Sequence, residues 1–294
     1  MIKQLMFVHG RAQEKKDAAA LKGEWIAAFR EGLSKSELDL SISENMIRFP
    51  YYGQTLYDLV SNVPPEKVAQ VIVKGENADE QQRAFVRAVI QEVRDKAGIT
   101  DAEIAAVAEQ AVVTKGPLNW EWLHAVLRAI EQTVPGASGA SIAVATNDVY
   151  QYLFNIGIRD AIEEGIRKAM QPDADTVIVG HSLGTVVAYS LLRREGKSSG
   201  WKVPLYVTLG CPLGVSAIKR ALAPNRHPEC VGDWFNALDV RDIVALYPLD
   251  EDTFPITPSI ENKIDVNNQT ENRHGISGYL NDKEVAKRIY DALI

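Results

Sequence analysis

A serine framed by two glycines constrains the fold of this chain more than any other feature. Thr176 to Val179 is a short β-branched run, typical of a buried parallel strand, and Leu183 to Leu192 is apolar most of the way round a helix. Ser182 lies between them, with Gly180 and Gly184 two residues away on either side. A side chain at either glycine would collide with neighbouring backbone in a tight strand-to-helix turn. The pattern therefore predicts a hydroxyl held above the carboxyl edge of a sheet, where the N–H groups of the next helix point at a ligand.

The Gly-x-Ser-x-Gly pattern is weak by itself, because it arises often by chance. Its position at a strand-to-helix junction is the context that indicates a functional serine and not merely a serine in a glycine turn. A serine hydroxyl is a poor nucleophile at neutral pH. A catalytic Ser182 therefore needs an imidazole that takes its proton and a carboxylate that orients the imidazole.

The order of residues limits the candidates for these two partners. In folds with this turn, the acid and then the histidine follow the serine along the chain. The chain has five histidines, and of these only His274 follows every plausible acid loop. Asp239 and Asp242 both come just after a predicted strand over 233–238, and either could reach His274. The residues alone leave the acid open between these two aspartates.

Strands and helices alternate along most of the chain. We predict strands at 5–8, 45–49, 203–209, 233–238 and 263–266, and helices at 17–32, 147–170 and 282–293. This alternation is typical of an α/β domain with a mostly parallel sheet covered by helices on both faces. Residues 54–146 differ, because the predicted helices after Asp79, Thr100 and Pro117 have no strand between them. We interpret 54–146 as a helical insertion within a single domain spanning 1–294.

Composition excludes several classes of function. The formal net charge is −7 without a basic run, which argues against nucleic acid as a partner. Two cysteines are too few for a disulfide framework, and no Cys/His spacing resembles a metal site. We expect no metal or cofactor and a reducing, cytoplasmic location. The apolar run at the N-terminus is too short for a signal peptide, and no stretch is long enough to cross a membrane.

These segments together resemble an α/β-hydrolase of the lipase and serine-esterase kind. The matching segments are His9-Gly10 after the first strand, 180–184, 208–214, 236–245, and His274 with Tyr279. The family's first two strands have no counterpart, so the resemblance implies an α/β-hydrolase fold with a shortened sheet of about six strands. Relatives of this kind carry their acid directly before Pro-Val or Ile-Val. The resemblance therefore implies Asp242 as the acid, in preference to Asp239.

The resemblance also implies an oxyanion hole. The backbone N–H groups of Arg11, after the His-Gly pair, and of Leu183, after the serine, would form it. His9, Gly10 and His181 flank these positions and are expected at the substrate pocket.

The insertion would form a lid over that pocket. Trp120 and Trp122, with Leu118, are the apolar candidates for this roof, although aromatic residues at a helix start more often serve packing. The competing interpretation is that the insertion packs away from the site as a partner or oligomer surface.

The expected function is a serine hydrolase that cleaves carboxylic esters through an acyl-enzyme intermediate. Its substrate would be a small-molecule ester or a lipid, which allows transient contact with a membrane; the oligomeric state stays open. Two alternatives remain: cleavage of amides or thioesters by the same triad, and a noncatalytic binding protein on the same fold. The presence of serine, acid and histidine in the required order favours an enzyme.

Overall fold

A computed structural model describes residues 2–10, 17–53, 79–108 and 120–294. Within these residues six strands form one parallel sheet, in the spatial order β2-β1-β3-β4-β5-β6. The strands are β1 (Ile2–Val8), β2 (Ile47–Arg48), β3 (Ala174–His181), β4 (Val203–Leu209), β5 (Val231–Ala237) and β6 (Glu261–Lys263). The expectation of an α/β fold with about six strands is confirmed.

Most of the described helices begin at a residue whose side chain can cap them. The helices are α1 (Ala18–Ser34), α2 (Glu80–Ala97), α3 (Asp101–Val107), α4 (Trp120–Thr133), α5 (Gly139–Phe154), α6 (Ile156–Ala169), α7 (Leu183–Glu195), α8 (Ser216–Ala221), α9 (Ile276–Leu280) and α10 (Lys283–Leu293). Asp17, Asp79 and Thr100 each accept a hydrogen bond from the backbone three residues later, which satisfies an N–H that has no partner inside the helix. No helix of the described residues is long and apolar enough to cross a membrane.

Both faces of the sheet are buried beneath helices. Successive residues of a strand point to opposite faces, so Leu5 and Phe7 of β1 enter one core while Met6 and Val8 enter the other. The first core contains α1, α9 and α10, and the second contains α7 and helices of the region predicted as an insertion. Burial on both sides explains why the central strands are continuous apolar runs and do not alternate with polar residues.

The direction in which successive strands are added to the sheet reverses at β1. β2 pairs with one side of β1, and β3 pairs with the other, in a register that sets Val8 against Gly180. In an open parallel sheet, such a reversal leaves a crevice outside the carboxyl ends of the two strands, where ligands bind. The segments after β1 and β3, which contain Gly10 and Ser182, therefore meet at this crevice.

Several boundaries differ from the sequence predictions. The strand predicted at 263–266 is β6, Glu261–Lys263. The single helix predicted over 147–170 is wrong: Asn155 ends α5 with its N–H and starts α6 with its side chain, which accepts from Ile158. Because α5 begins after Ser138, the predicted end of the insertion, at residue 146, lies inside this helix. The strand predicted at 45–49 is a 3-10 turn, Glu44–Met46, followed by the two residues of β2. Residues 54–78 and 109–119 of the predicted insertion lie outside the described residues.

A carboxylate of α2 accepts hydrogen bonds from the first residue of α8. Glu92 accepts hydrogen bonds from the backbone N–H of Ser216, at 3.0 and 3.1 Å, and from its hydroxyl at 3.1 Å. Ser216 is the first residue of α8, whose free N–H groups favour a negative charge. The apolar face of α2 carries side chains that enter the same core as α4, α5 and α7.

Candidate active site

The backbone at Ser182 has a conformation that non-glycine residues rarely adopt. Its φ is 54° and its ψ −126°, between the end of β3 and the start of α7. Such a conformation costs about 1–3 kcal/mol and persists only where the surroundings enforce it. Here the Ser182 N–H donates to Leu209 at 3.1 Å, and the Ser182 carbonyl accepts from the N–H and the hydroxyl of Thr185. The turn is therefore fixed by neighbours on both sides.

Three glycines allow the backbone segments around Ser182 to approach each other. A Cβ on Gly184 would lie 2.1 Å from the carbonyl oxygen of Val8, and one on Gly180 would lie 3.0 Å from Cα of Thr185. A Cβ on Gly10 would lie 2.8 Å from Cβ of Ser182. The glycines of the motif thus serve the steric role predicted for them, and Gly10 lies directly against the serine.

Asp242 is a buried carboxylate whose two oxygens are both fixed. Oδ1 accepts from the N–H groups of Val244, at 2.8 Å, and Ala245, at 3.3 Å. Oδ2 accepts from Nδ1 of His274 at 2.7 Å and from the hydroxyl of Tyr279 at 2.6 Å. Burial alone would raise the pKa of this carboxyl, but the His274 ring and the hydrogen bonds hold it below its usual value. Asp242 is therefore ionised and aimed at the imidazole.

Asp239 is engaged elsewhere. Both of its oxygens accept from the Arg241 side chain, at 3.0 and 2.9 Å, and Oδ2 also accepts from the N–H of Asn268. Burial opposes ionisation here too, yet these bonds lower the pKa of Asp239. The structure therefore brings Asp242, and not Asp239, into contact with His274. The catalytic role of Asp242 stays a prediction.

The His274 ring lies against the carboxyl edge of the sheet. Its Cε1 is 3.0 Å from the position that a Cβ on Gly210 would occupy, just after β4. Its backbone carbonyl accepts from Nε2 of His181, the residue before Ser182, at 2.7 Å. Because Nδ1 donates to Asp242, Nε2 is the nitrogen that can accept a proton. Among the described contacts, the His274 ring and the Ser182 hydroxyl make no direct hydrogen bond.

His9 and His181 are buried and engaged with the backbone. The N–H of Tyr52 donates to Nε2 of His9 at 3.0 Å, so Nδ1 donates to the Gly10 carbonyl at 2.7 Å. Burial lowers the pKa of His9 to about 4; burial and then the neighbouring His274 lower that of His181 to about 3. Both rings are neutral at pH 7. They hold the segments around Ser182 and do not line the cleft beside it.

An apolar cleft opens beside Ser182 and Leu183. The volume within it that the centres of water molecules can reach is about 40 Å³. The other lining residues are Val89, Val93, Ile142, Ala145, Thr146, Val149, Pro212, Val215, Ile218, Ile243 and Val244. None of these described lining residues is charged. The Thr146 hydroxyl donates to the Ile142 carbonyl at 2.8 Å, which leaves Ser182 as the polar group without a side-chain hydrogen-bond partner at this cleft.

Trp120 and Trp122 do not line this cleft. Trp122 is buried, with the Arg94 guanidinium 5.5 Å from the centre of its ring, and Trp120 packs at the edge of the same core. Helix α4 therefore presents these rings to neighbouring helices, which is the packing role that the sequence favoured for aromatic residues at a helix start. Arg11 and Leu118 lie outside the described residues, and Leu183 is the first residue of α7.

Sequence reasoning missed the residues of α2 and α5 that line the cleft, and it gave Tyr279 no role. The signal for the first was available, since Val89 and Val93 lie on the apolar face of the helix predicted after Asp79. Among the described residues, no group of three or more His, Cys, Asp or Glu could hold a metal ion. Comparison of the chain with family models, with curated proteins and with solved structures gave no match.

Proposed function

We propose that the protein is a serine hydrolase of the α/β-hydrolase kind that cleaves carboxylic esters. Ser182 is the nucleophile, His274 the general base, and Asp242 the carboxylate that orients the base. The main support is the 2.7 Å hydrogen bond between Asp242 and His274, formed beside a serine whose φ of 54° holds it at the carboxyl edge of the sheet. Strain of this kind is concentrated at functional sites.

The proposed reaction has two halves. Oγ of Ser182 attacks the ester carbonyl carbon while Nε2 of His274 takes the hydroxyl proton, and a tetrahedral intermediate forms. The bond to the alcohol oxygen then breaks, and the alcohol leaves with the proton from His274. Water attacks the acyl-enzyme with help from the same base, which releases the acid and restores the serine. Asp242 stabilises the imidazolium in both halves.

The negative oxygen of each tetrahedral intermediate needs hydrogen-bond donors. The N–H of Leu183 lies at the first position of α7, where no partner within the helix is available, and the helix N-terminus adds a partial positive charge. This N–H is the described part of the proposed oxyanion hole. The contribution of the Arg11 N–H remains a sequence prediction.

The apolar cleft is the proposed site of the acyl group, with α2 and α5 as its lid. The described residues lining the cleft carry no charge, which favours an uncharged, aliphatic acyl chain, because a buried charge without a partner is strongly unfavourable. The substrate would thus be a small-molecule ester or a lipid, met in solution or in transient contact with a membrane.

A cytoplasmic location is part of the same proposal. Cys211 and Cys230 are free thiols, which suits a reducing compartment. Burial raises the pKa of Cys211 to about 12 and that of Cys230 to about 11, so neither is a thiolate at neutral pH. The thiols therefore do not compete with Ser182 as nucleophiles.

A fluorophosphonate probe followed by mass spectrometry tests the proposal, because the probe phosphonylates activated serines and releases fluoride. We expect one adduct, on Ser182, and none in Ser182→Ala. Ser190→Ala is the matched control, since Ser190 is a buried serine further along α7 and its removal should leave labelling intact. An unlabelled wild-type chain, or labelling that persists in Ser182→Ala, would exclude the assignment.

A further inference from the structure

Tyr279 contacts the same carboxylate oxygen as the proposed base. Its hydroxyl donates to Oδ2 of Asp242 at 2.6 Å, and Nδ1 of His274 donates to that oxygen at 2.7 Å. Both the tyrosine and the aspartate are buried, so water does not screen these contacts. Hydrogen bonds to a buried carboxylate are among the stronger ones in proteins. The charge of Oδ2 is therefore shared between two donors.

The direction of the Tyr279 hydroxyl is fixed by its surroundings. The hydroxyl oxygen accepts a hydrogen bond from the N–H of Asp239 at 3.3 Å, and the hydroxyl proton points at Asp242. A Cβ on Gly210 would lie 3.2 Å from the Tyr279 ring, which shows how closely the ring packs against the end of β4. Asp239 is itself held by Arg241 and by the N–H of Asn268. The second aspartate thus supports Tyr279, although it does not contact His274.

We propose that Tyr279 is a positioning residue that limits how strongly Asp242 stabilises the charged form of His274. The inference rests on the proposed function, in which His274 is the base. With the hydroxyl removed, Oδ2 keeps one donor and attracts the imidazolium more strongly. The acid side of the rate profile then moves to higher pH.

The other described titratable groups around this pair keep their charge between about pH 5 and pH 8. His181, whose ring centre is 4.7 Å from that of His274, is neutral because burial lowers its pKa to about 3, and His9 lies beyond it with a pKa of about 4. The pKa of Asp239, paired with Arg241, is lowered, and burial followed by the Asp242 charge raises that of Tyr279. None of these neighbours changes charge between about pH 5 and pH 8.

The test compares Tyr279→Phe with Tyr152→Phe. Tyr152 is the matched control, because it is also buried and donates to a buried carboxylate, that of Glu163 at 2.5 Å, without contact to Ser182, His274 or Asp242. With a short-chain aryl ester, the acid limb of kcat/KM should move up by about half to one pH unit in Tyr279→Phe and stay in place in Tyr152→Phe. We expect KM to stay unchanged, since Tyr279 does not line the cleft. An acid limb at its wild-type pH, or one moved downward, would overturn the inference.

A second variant covers the case in which Tyr279→Phe folds poorly. Replacement of Tyr279 by 3-fluorotyrosine keeps nearly the same size and gives a stronger hydrogen-bond donor. The acid limb should then move to lower pH, opposite to the phenylalanine variant. A shift in the same direction for both variants would show that packing, and not the hydroxyl, is responsible.

Proton NMR supplies a readout that does not depend on turnover. The Nδ1 proton of His274, identified by its loss in His274→Asn, should move further downfield in Tyr279→Phe as its bond to Oδ2 shortens. If the wild-type chain hydrolyses no ester, the proposed function fails, and this resonance still decides whether Tyr279 acts on the pair. A resonance at the wild-type position in Tyr279→Phe contradicts the inference.

Discussion

The carboxyl edge of the sheet and the helices α2 and α5 beside it meet at Ser182, but different forces hold them. At the edge, side chains from distant parts of the sequence are joined by hydrogen bonds, such as those from His274 to Asp242 and from His181 to His274. The two helices present apolar side chains such as Val89 and Val149 to the cleft. Substitutions at the edge should therefore change rates, whereas those in the cleft should change substrate preference.

The largest effect is expected for Ser182→Ala. Removal of the nucleophile should lower kcat for short-chain aryl esters by roughly four or more orders of magnitude. The fold should be retained, because the hydroxyl oxygen accepts no capping hydrogen bond and alanine meets the same backbone strain as serine. Turnover and urea unfolding, measured on one preparation, check the loss of activity and the retained fold. Turnover near the wild-type rate would show that Ser182 is not the nucleophile.

The next effect separates two aspartates on one loop. Asp242→Asn should lower kcat by about three to four orders of magnitude, because an amide cannot balance the imidazolium and favours the wrong tautomer of His274. Asp239→Asn should lower kcat less than about tenfold, since Asp239 pairs with Arg241. Both variants are measured on one substrate at one pH. The reverse ranking would make Asp239 the acid.

Acid should destabilise the fold through the two buried histidines at the edge, His9 and His181. The pKa values of His9 and His181 are lowered to about 4 and about 3 in the folded chain, so only the unfolded chain takes up their protons as the pH falls below about 6.5. The unfolding free energy should therefore fall by about 2 kcal/mol per histidine between pH 7 and pH 5. Urea unfolding of His181→Gln should show a shallower pH dependence, and that of His124→Gln, which removes an exposed histidine on α4, should match wild type. Equal slopes in all three proteins would contradict this prediction.

The smallest effect concerns the cleft. Val149→Phe fills part of the lining and should reduce kcat/KM for long acyl chains relative to short ones by about tenfold, with fluorophosphonate labelling changed less than about threefold. Trp122→Phe is the control: it should lower stability through lost packing without altering the chain-length profile. If Trp122→Phe changed the profile and Val149→Phe did not, the acyl group would lie elsewhere.

The sequence predicted those parts of the fold that have a local signal. Residues 203–209 form a continuous apolar run and are β4, and Asp79 and Thr100 start the helices predicted after them. The break at Asn155 had no such signal, because apolar residues continue at helical spacing across it. It depends on a side chain that caps the next helix. The two short helices α8 and α9 were missed for a similar reason, since they are too short to show a period.

The same division holds for the candidate site. Ser182 and its glycines were found because the turn is encoded by adjacent residues. The choice between Asp239 and Asp242 was left open by the residues alone, because it depends on which side chain meets the loop at His274. Whether Trp120 and Trp122 line the pocket depends on how α4 is rotated about its axis. Packing against other helices decides that rotation.

The pairing of β1 with β3 has a consequence for the order in which the chain assembles. These strands are neighbours along their whole length, although the entire helical region separates them in sequence. Closing so long a loop adds only about 0.6 kcal/mol for each doubling of its length, but contacts this distant in sequence slow folding. The turn at Ser182 depends on β1, because Gly184 packs against Val8. During refolding, the circular dichroism signal of the helices should therefore recover first. The fraction of chains that react with a fluorophosphonate should rise later, when β1 and β3 have paired.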